Sequence, residues 1–308
     1  MEEQTRLWIE AMRGRRYADA WRIEQAVLDA RDPASRNDPG VPYHRRWVFD
    51  GRPLDGCDVL VRCHHGLGDT IQFARHLPEL ARRARSVTVE APARLHPLLA
   101  APGITLAGFD PAHPLPPAER DVEITELPFA LRAAPDAVRA PYLVAIPAAL
   151  PSGTIGLCYA AGDWDRDRWV APALLEPLAR DRPCLSLVPQ PTDLPVLNPD
   201  GCPFDLDATA SLVASCALVI TVDTMVAHLA GALGRPTWLL LKAQPDWRWD
   251  PLSRSTPWYP TMRLYAQEHA GDWSAPLAAV ARDLSLFDLQ TETSYGQPAE
   301  PVGSGVLG

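Results

Sequence analysis

LVITVDTMVAHLAGALGRPTWLLL, running from Leu218 to Leu241, is the stretch that decides the fold. Leu218 to Val222 is a short, continuous apolar run and reads as a strand buried on both faces. Thr224 to Leu233 reads as a helix, and Thr237 to Leu241 as a second buried strand. A strand, a helix and a strand in so short a span form a βαβ unit, which belongs to a parallel sheet with helices against it.

The same alternation extends in both directions. Upstream, Thr154 to Cys158 and Cys184 to Val188 read as strands, with helices over Pro172 to Ala179 and Ala208 to Cys216. Downstream, Ala275 to Leu284 reads as the last helix. A Pro-rich segment from Ala140 to Pro151 marks a boundary, and an earlier set of elements precedes it. Strands are expected over Asp58 to Arg62, Ser86 to Glu90, Ile104 to Ala107 and Val122 to Thr125. Helices are expected over Ile71 to Ala84 and Pro92 to Ala100. The fold class is therefore α/β, with two Rossmann-like domains, 36–150 and 151–286, facing a cleft where open parallel sheets bind ligands. Residues 1–35 read as two short helices around Arg13 to Arg16, a hairpin of tetratricopeptide type that cannot bury its own face and must dock on the body or on a protein partner. Residues 287–308, rich in Gly, Ser, Pro and Glu, are expected to be a disordered tail.

Composition narrows the function. The 308 residues are 47% hydrophobic, enough to supply two cores, and 29 Lys and Arg against 38 Asp and Glu leave a net charge of -9. That charge repels a nucleic-acid backbone, so no nucleic-acid partner is expected. Six cysteines without a CxxC pair read as reduced and buried. The N-terminus lacks the apolar core of a signal peptide and no apolar run is long enough to cross a bilayer, so no transmembrane segment and a cytoplasmic location are expected.

Two turns carry the chemistry. His64-His65-Gly66-Leu67-Gly68-Asp69-Thr70 follows the first strand. There Gly66 and Gly68 either let the backbone approach a ligand, with Asp69 facing the cleft, or make a tight turn that Asp69 merely caps. In the second half Asp223, Thr224, Met225 and His228 occupy the equivalent place. Thr224 and His228 share a helix face, so a hydroxyl, an imidazole and backbone N–H groups converge at a positive helix end that suits a diphosphate. The plainer reading is a capped helix with His228 satisfied inside. In Gly162 to Arg168, either Arg166 or Arg168 is placed to clamp phosphate oxygens, or the segment is a solvated charged loop. Trp247, Trp249 and Trp258 offer flat faces to a sugar or acceptor, or plug their loop onto the core. His64 and His65 are adjacent, an arrangement that rarely aims at one ion, and the Asp-x-Asp spacings at Asp163 and Asp205 are common in polar loops, so no metal and no cofactor are expected.

Three segments in order, Val61 to Ala84 with its Gly66-to-Arg75 run, Ile220 to Leu241, and the Asp246-Trp-Arg-Trp to Pro257-Trp-Tyr-Pro region, resemble glycosyltransferase family 9. The likeness is to its heptosyltransferase-like branch, often fused to tetratricopeptide repeats, and covers roughly residues 43 to 285. The resemblance implies a GT-B fold and a metal-independent, inverting transfer from a nucleotide-sugar to a glycan, lipid-linked or protein acceptor. It makes Asp69 the general base, and Asp223, Thr224 and His228 the holders of the donor's sugar and phosphates. Met225 stands where heptosyltransferases often have glycine, Val188-Pro189 replaces a Gln-Lys pair, and Glu126 sits where many relatives have serine. Two other readings are a catalytically silent nucleotide-sugar or glycan binding module, and an interaction protein that docks through its hairpin.

Overall fold

The computed structural model describes residues 2–63, 65–134 and 137–287. His64 and residues 288–308 of the expected tail lie outside the described residues. Helices α1 (Glu2–Arg13) and α2 (Tyr17–Asp29) form the hairpin. The first half follows as β1 (Asp58–Arg62), α3 (Leu67–Phe73), α4 (Leu77–Arg83), β2 (Ser86–Ala91), α5 (His96–Leu99), β3 (Ile104–Gly108), β4 (Arg120–Glu123) and α6 (Leu127–Leu131). The second half is β5 (Ile155–Cys158), α7 (Glu176–Ala179), β6 (Cys184–Ser186), α8 (Leu206–Ser215), β7 (Leu218–Val222), α9 (Met225–Ala232), β8 (Thr237–Leu241), β9 (Met262–Ala266) and α10 (Ser274–Leu286).

All strand pairs within the two sheets are parallel. The first sheet has the order β3-β2-β1-β4 and the second β6-β5-β7-β8-β9. Both orders reverse direction once, at β1/β4 and at β5/β7. At such a reversal the loops after the two strands lead to opposite faces and leave a crevice at the strand ends. The fold therefore offers two crevices, one per sheet.

Packing explains where elements differ from expectation. The helix expected over Ile71 to Ala84 is broken by a 3-10 turn, Ala74–His76, because Pro78 in the first turn of α4 has no N–H to continue the ladder. Strand β9 was not expected: its exposed Arg263 interrupts the apolar run, yet Met262, Leu264 and Tyr265 are buried and extend the sheet. Charge is also buried at the end of β1, where Arg62 bonds Asp121 on β4, Glu90 on β2 and the Tyr43 hydroxyl, tying three strands together.

The connector between the halves is pinned to the end of α9, the N–H groups of Tyr142 and Leu143 both donating to the Ala232 carbonyl. The hairpin docks on the body, not outward. Trp21 packs on Phe129 of α6 with ring centroids 6.1 Å apart, Trp8 meets Trp247 edge-on at 4.7 Å, and Arg13 Nε donates to the Trp247 carbonyl at 3.1 Å. It thus touches both halves. Phe287, the one described residue of the expected tail, packs on Trp238.

Candidate functional site

The second-half crevice is a cavity of about 580 Å³. Gly162, Trp164, Asp165 and Arg168 enter it from the loop after β5, Asp223 to Met225 from the turn after β7, and Lys242 from the end of β8. Gly66 to Asp69 close it from the first half.

Arg168 is held rigidly there. Its Nη1 donates to the Asp223 carbonyl at 2.6 Å, its Nε to the Asp165 carbonyl at 3.2 Å, and its guanidinium lies 4.2 Å from the Trp164 ring centroid. Its Nη2 is buried and has no hydrogen-bond partner among the described residues. Leaving a buried charged donor unsatisfied costs at least about 1–3 kcal/mol, a cost that a turn of the guanidinium toward an acceptor in the cavity would remove. Lys242 Nζ is 2.7 Å from Asp165 Oδ2, so a second cation is oriented at the same wall.

Helix α9 adds its positive end. Thr224, in the cap position, is extended (φ -155°, ψ 176°) and its side chain makes no cap hydrogen bond, and the first turn holds no acid. The orphan N–H groups that every helix start leaves are thus not covered by a local side chain. One turn on, His228 is buried with Nδ1 3.0 Å from the Tyr259 hydroxyl and its ring 5.7 Å from that of Trp249. Burial, then the nearby charges of Arg248 and Arg75, hold its pKa well below the usual value, so the ring is neutral. Tyr259 reaches His228 only because residue 231 is glycine, since a Cβ there would lie 2.4 Å from the Tyr259 ring. Beside this, burial and then the charge of Asp246 push the Asp223 carboxyl up to about 6.

The first-half crevice is a cavity of about 340 Å³. His65, Asp69 and Phe73 reach it after β1, Thr125 and Glu126 after β4, and the hairpin forms the facing wall. Asp69 sits where the two cavities meet. Its Oδ2 accepts from the Gly66 N–H at 3.1 Å and its Oδ1 pairs with the Arg248 guanidinium. Arg248 also donates through Nε to Gln72 at 2.6 Å and through Nη1 to Asp246 at 2.9 Å, so it bridges the halves. Burial opposes its charge, but Asp246 and Asp69 outweigh burial and raise its pKa. Burial lowers the His65 pKa.

The expected residues fall into separate groups. Gly66, Gly68, Asp69, Arg168, Asp223, Thr224, Met225 and His228 line one cavity. Gly68, however, serves the contact between helices: a Cβ there would lie 2.8 Å from His228 Cδ2 and 3.4 Å from Met225 Cα. Arg166 does not join them, being exposed and paired with Asp163 at 2.7 Å. Of the three tryptophans, Trp249 and Trp258 are buried plugs, Trp258 donating its indole N–H to the Arg248 carbonyl. Trp247 borders the first-half cavity on the hairpin side, and Trp247 and Trp258 both border a smaller cavity beside Arg13 and Tyr17. Trp164, 80% exposed at the cavity mouth, is the aromatic face the sequence reading passed over. Arg248 was passed over too; a lone cation between two tryptophans after a central strand was its signal. Among the described residues, no three His, Cys, Asp or Glu side chains gather as metal ligands.

Residues 202–269, from α8 through β9, match glycosyltransferase family 9 (heptosyltransferase). That range holds Asp223, Thr224, Met225, His228 and Arg248, while the Gly66 to Asp69 loop lies outside it. Protein FlbA of Caulobacter vibrioides is 35% identical over 95 residues, which are 30% of this chain and 15% of that protein, so the chain spans a small part of this curated relative. Among solved structures, the Escherichia coli ADP-heptose LPS heptosyltransferase II superposes with a TM-score of 0.52 at 14% identity, over 74% of this chain and 98% of that one. The iron-containing dodecameric glycosyltransferase TibC from enterotoxigenic E. coli gives 0.48 at 13% identity, over 61% and 59%. The chain thus has the GT-B fold of the heptosyltransferases, two parallel sheets facing a cleft behind an N-terminal hairpin, and its segment 202–269 is similar to glycosyltransferase family 9.

Proposed function

We propose that the chain is a metal-independent, inverting glycosyltransferase that binds a nucleotide-sugar in the second-half crevice and transfers the sugar to a hydroxyl of a glycan, lipid-linked or protein acceptor on the first-half side. The observation that carries this reading is the buried, unpartnered Nη2 of Arg168 beside the uncovered start of α9. A diphosphate satisfies both. A further cavity of about 470 Å³, lined by Cys158, Leu187, Val188 and Phe204, adjoins this place through Thr224 and Met225 and suits the flat face of a base.

The chemistry follows from the placement. The acceptor oxygen forms a bond to the anomeric carbon while the bond to phosphate oxygen breaks and the nucleoside diphosphate leaves with the electron pair. Arg168, the helix start and His228 meet the charge that develops on it. In the tautomer whose Nδ1 accepts from the Tyr259 hydroxyl, the ring proton sits on Nε2 and makes a neutral donor. Asp69 receives the acceptor proton, exchanging its bond with Arg248 for one with the hydroxyl. A second reading, a silent nucleotide-sugar binder, is favoured by the fact that both Asp69 oxygens are already engaged.

A melting panel of ADP-, GDP-, UDP- and dTDP-sugars tests the site. One nucleotide class should stabilise the chain, by about 2.7 kcal/mol at a hundred times its Kd, and Arg168→Gln should weaken it roughly tenfold to a hundredfold. No stabilisation by any of them, or an unchanged Kd in the variant, would overturn the reading.

A further inference from the structure

We propose that the cavity between the hairpin and the first sheet selects an acceptor that carries an ammonium group close to its attacking hydroxyl. This inference rests on the glycosyltransferase reading for the word acceptor. The cavity is lined by Trp8, Trp21, Trp247, Glu24 and Glu126, with Asp69 where it meets the second-half cavity and the Arg248 guanidinium 4.7 Å from the Trp247 ring centroid. Glu24 is fixed by the Trp8 indole N–H, which donates to it at 3.3 Å, and Glu126 by the Glu123 N–H at 3.1 Å.

Indole faces and carboxylates together are the chemistry that holds a cation. The only guanidinium in the wall, Arg248, is committed to Asp69, Gln72 and Asp246 and does not neutralise the two glutamates. A phosphorylated acceptor would meet Asp69 and two half-buried carboxyl groups, and a neutral sugar would make no use of the charge that the pair can release.

The titration of the pair agrees. Burial and then Glu126 push the Glu24 carboxyl up to about 7, against the pull of Arg132 and Arg31 and of the Trp8 N–H. Burial and then Glu123 push Glu126 up to about 7, against the Glu123 and Phe49 N–H groups and Arg31. His65 and Asp69 face the same space. Without a cation the pair holds protons near neutrality, and a bound ammonium displaces them.

An ammonium beside a hydroxyl occurs in an amino sugar and in a serine–lysine peptide, and the test separates them. Tryptophan fluorescence of the full chain is titrated with glucosamine against N-acetylglucosamine, and with N-acetyl-seryl-lysine amide against its side-chain-acetylated form. In at least one pair the ammonium member should bind about tenfold tighter, and the pair that discriminates names the source. Glu24→Gln should level the two members, and Glu126→Gln should do the same. Equal binding within both pairs, or a preference that survives both substitutions, overturns the inference. The nucleotide-sugar melting shift is read in the same samples. A kept shift shows that the variants are folded and confines a failure to this cavity, whereas no shift in the unsubstituted chain sinks the glycosyltransferase reading itself.

Discussion

Helices α3 and α9 begin at corresponding places, each in the first turn after the strand at which its sheet reverses, yet they are finished differently. The start of α3 is closed from within: Asp69 reaches back to the Gly66 N–H and pairs with Arg248, so its positive end already has its anion. The start of α9 is left open, with an uncommitted Thr224, no acid in its first turn and an unpartnered Arg168 nitrogen alongside. One motif, strand–turn–helix, thus yields a start closed by its own acid in one half and an uncapped start in the other. What decides is the third helical residue: aspartate in α3, alanine at 227 in α9.

Removing the acid from the closed start should have the largest effect. Asp69→Asn should lower turnover by about 10²- to 10⁴-fold while nucleotide-sugar binding, measured by calorimetry, stays within a factor of two or so. Full turnover in that variant would leave the two starts without the division of labour drawn here. The open start is best challenged through the residue behind it. Gly231→Ala should destabilise the chain by about 1–3 kcal/mol, read as a shift in the denaturant midpoint, because its Cβ displaces Tyr259 and with it the partner of His228. The smallest effect is one of pH. Asp223 faces the charges of Asp246, Arg248 and Arg168 and has a carboxyl raised to about 6, so it becomes protonated below that value and one negative charge leaves the second-half crevice. Nucleotide-sugar affinity should therefore rise, about threefold to tenfold, between pH 7.5 and 5.5, and Asp223→Asn should flatten the curve.

Strands β1, β7 and β8 were legible to the residue because each has a short apolar centre, Val59 to Val61, Leu218 to Ile220 and Trp238 to Leu241, rich in branched side chains and bounded by polar or turn residues. Strand β9 was hidden by Arg263 and by a preceding loop dense in tryptophan and proline. The cluster of Asp223, Thr224 and His228 was readable because helical spacing places residues four apart on one face. The tryptophans were not, since an aromatic in a loop carries no sign of which side it packs, and Trp249 and Trp258 turned inward while Trp164 stayed out. Nor did local pattern reveal that Arg248 would meet Asp69, 179 positions earlier in the chain. The hairpin's amphipathic helices announced a need for cover, and only the tertiary structure shows that the cover is α6 and the Trp247 loop, one from each half.

Arg75 crosses between the halves at a second point. Its guanidinium lies 4.7 Å from the ring centroid of Tyr142 in the connector and 4.8 Å from that of Tyr259, and donates to the Trp258 carbonyl at 2.9 Å. With Arg248 it makes two rivets through one joint, driven from opposite sides. Two such contacts mean that exchanging the Arg248 pair alone leaves the halves still joined through Arg75. Tyr259 is the shared plate, because the hydroxyl that orients His228 belongs to the ring on which Arg75 rests.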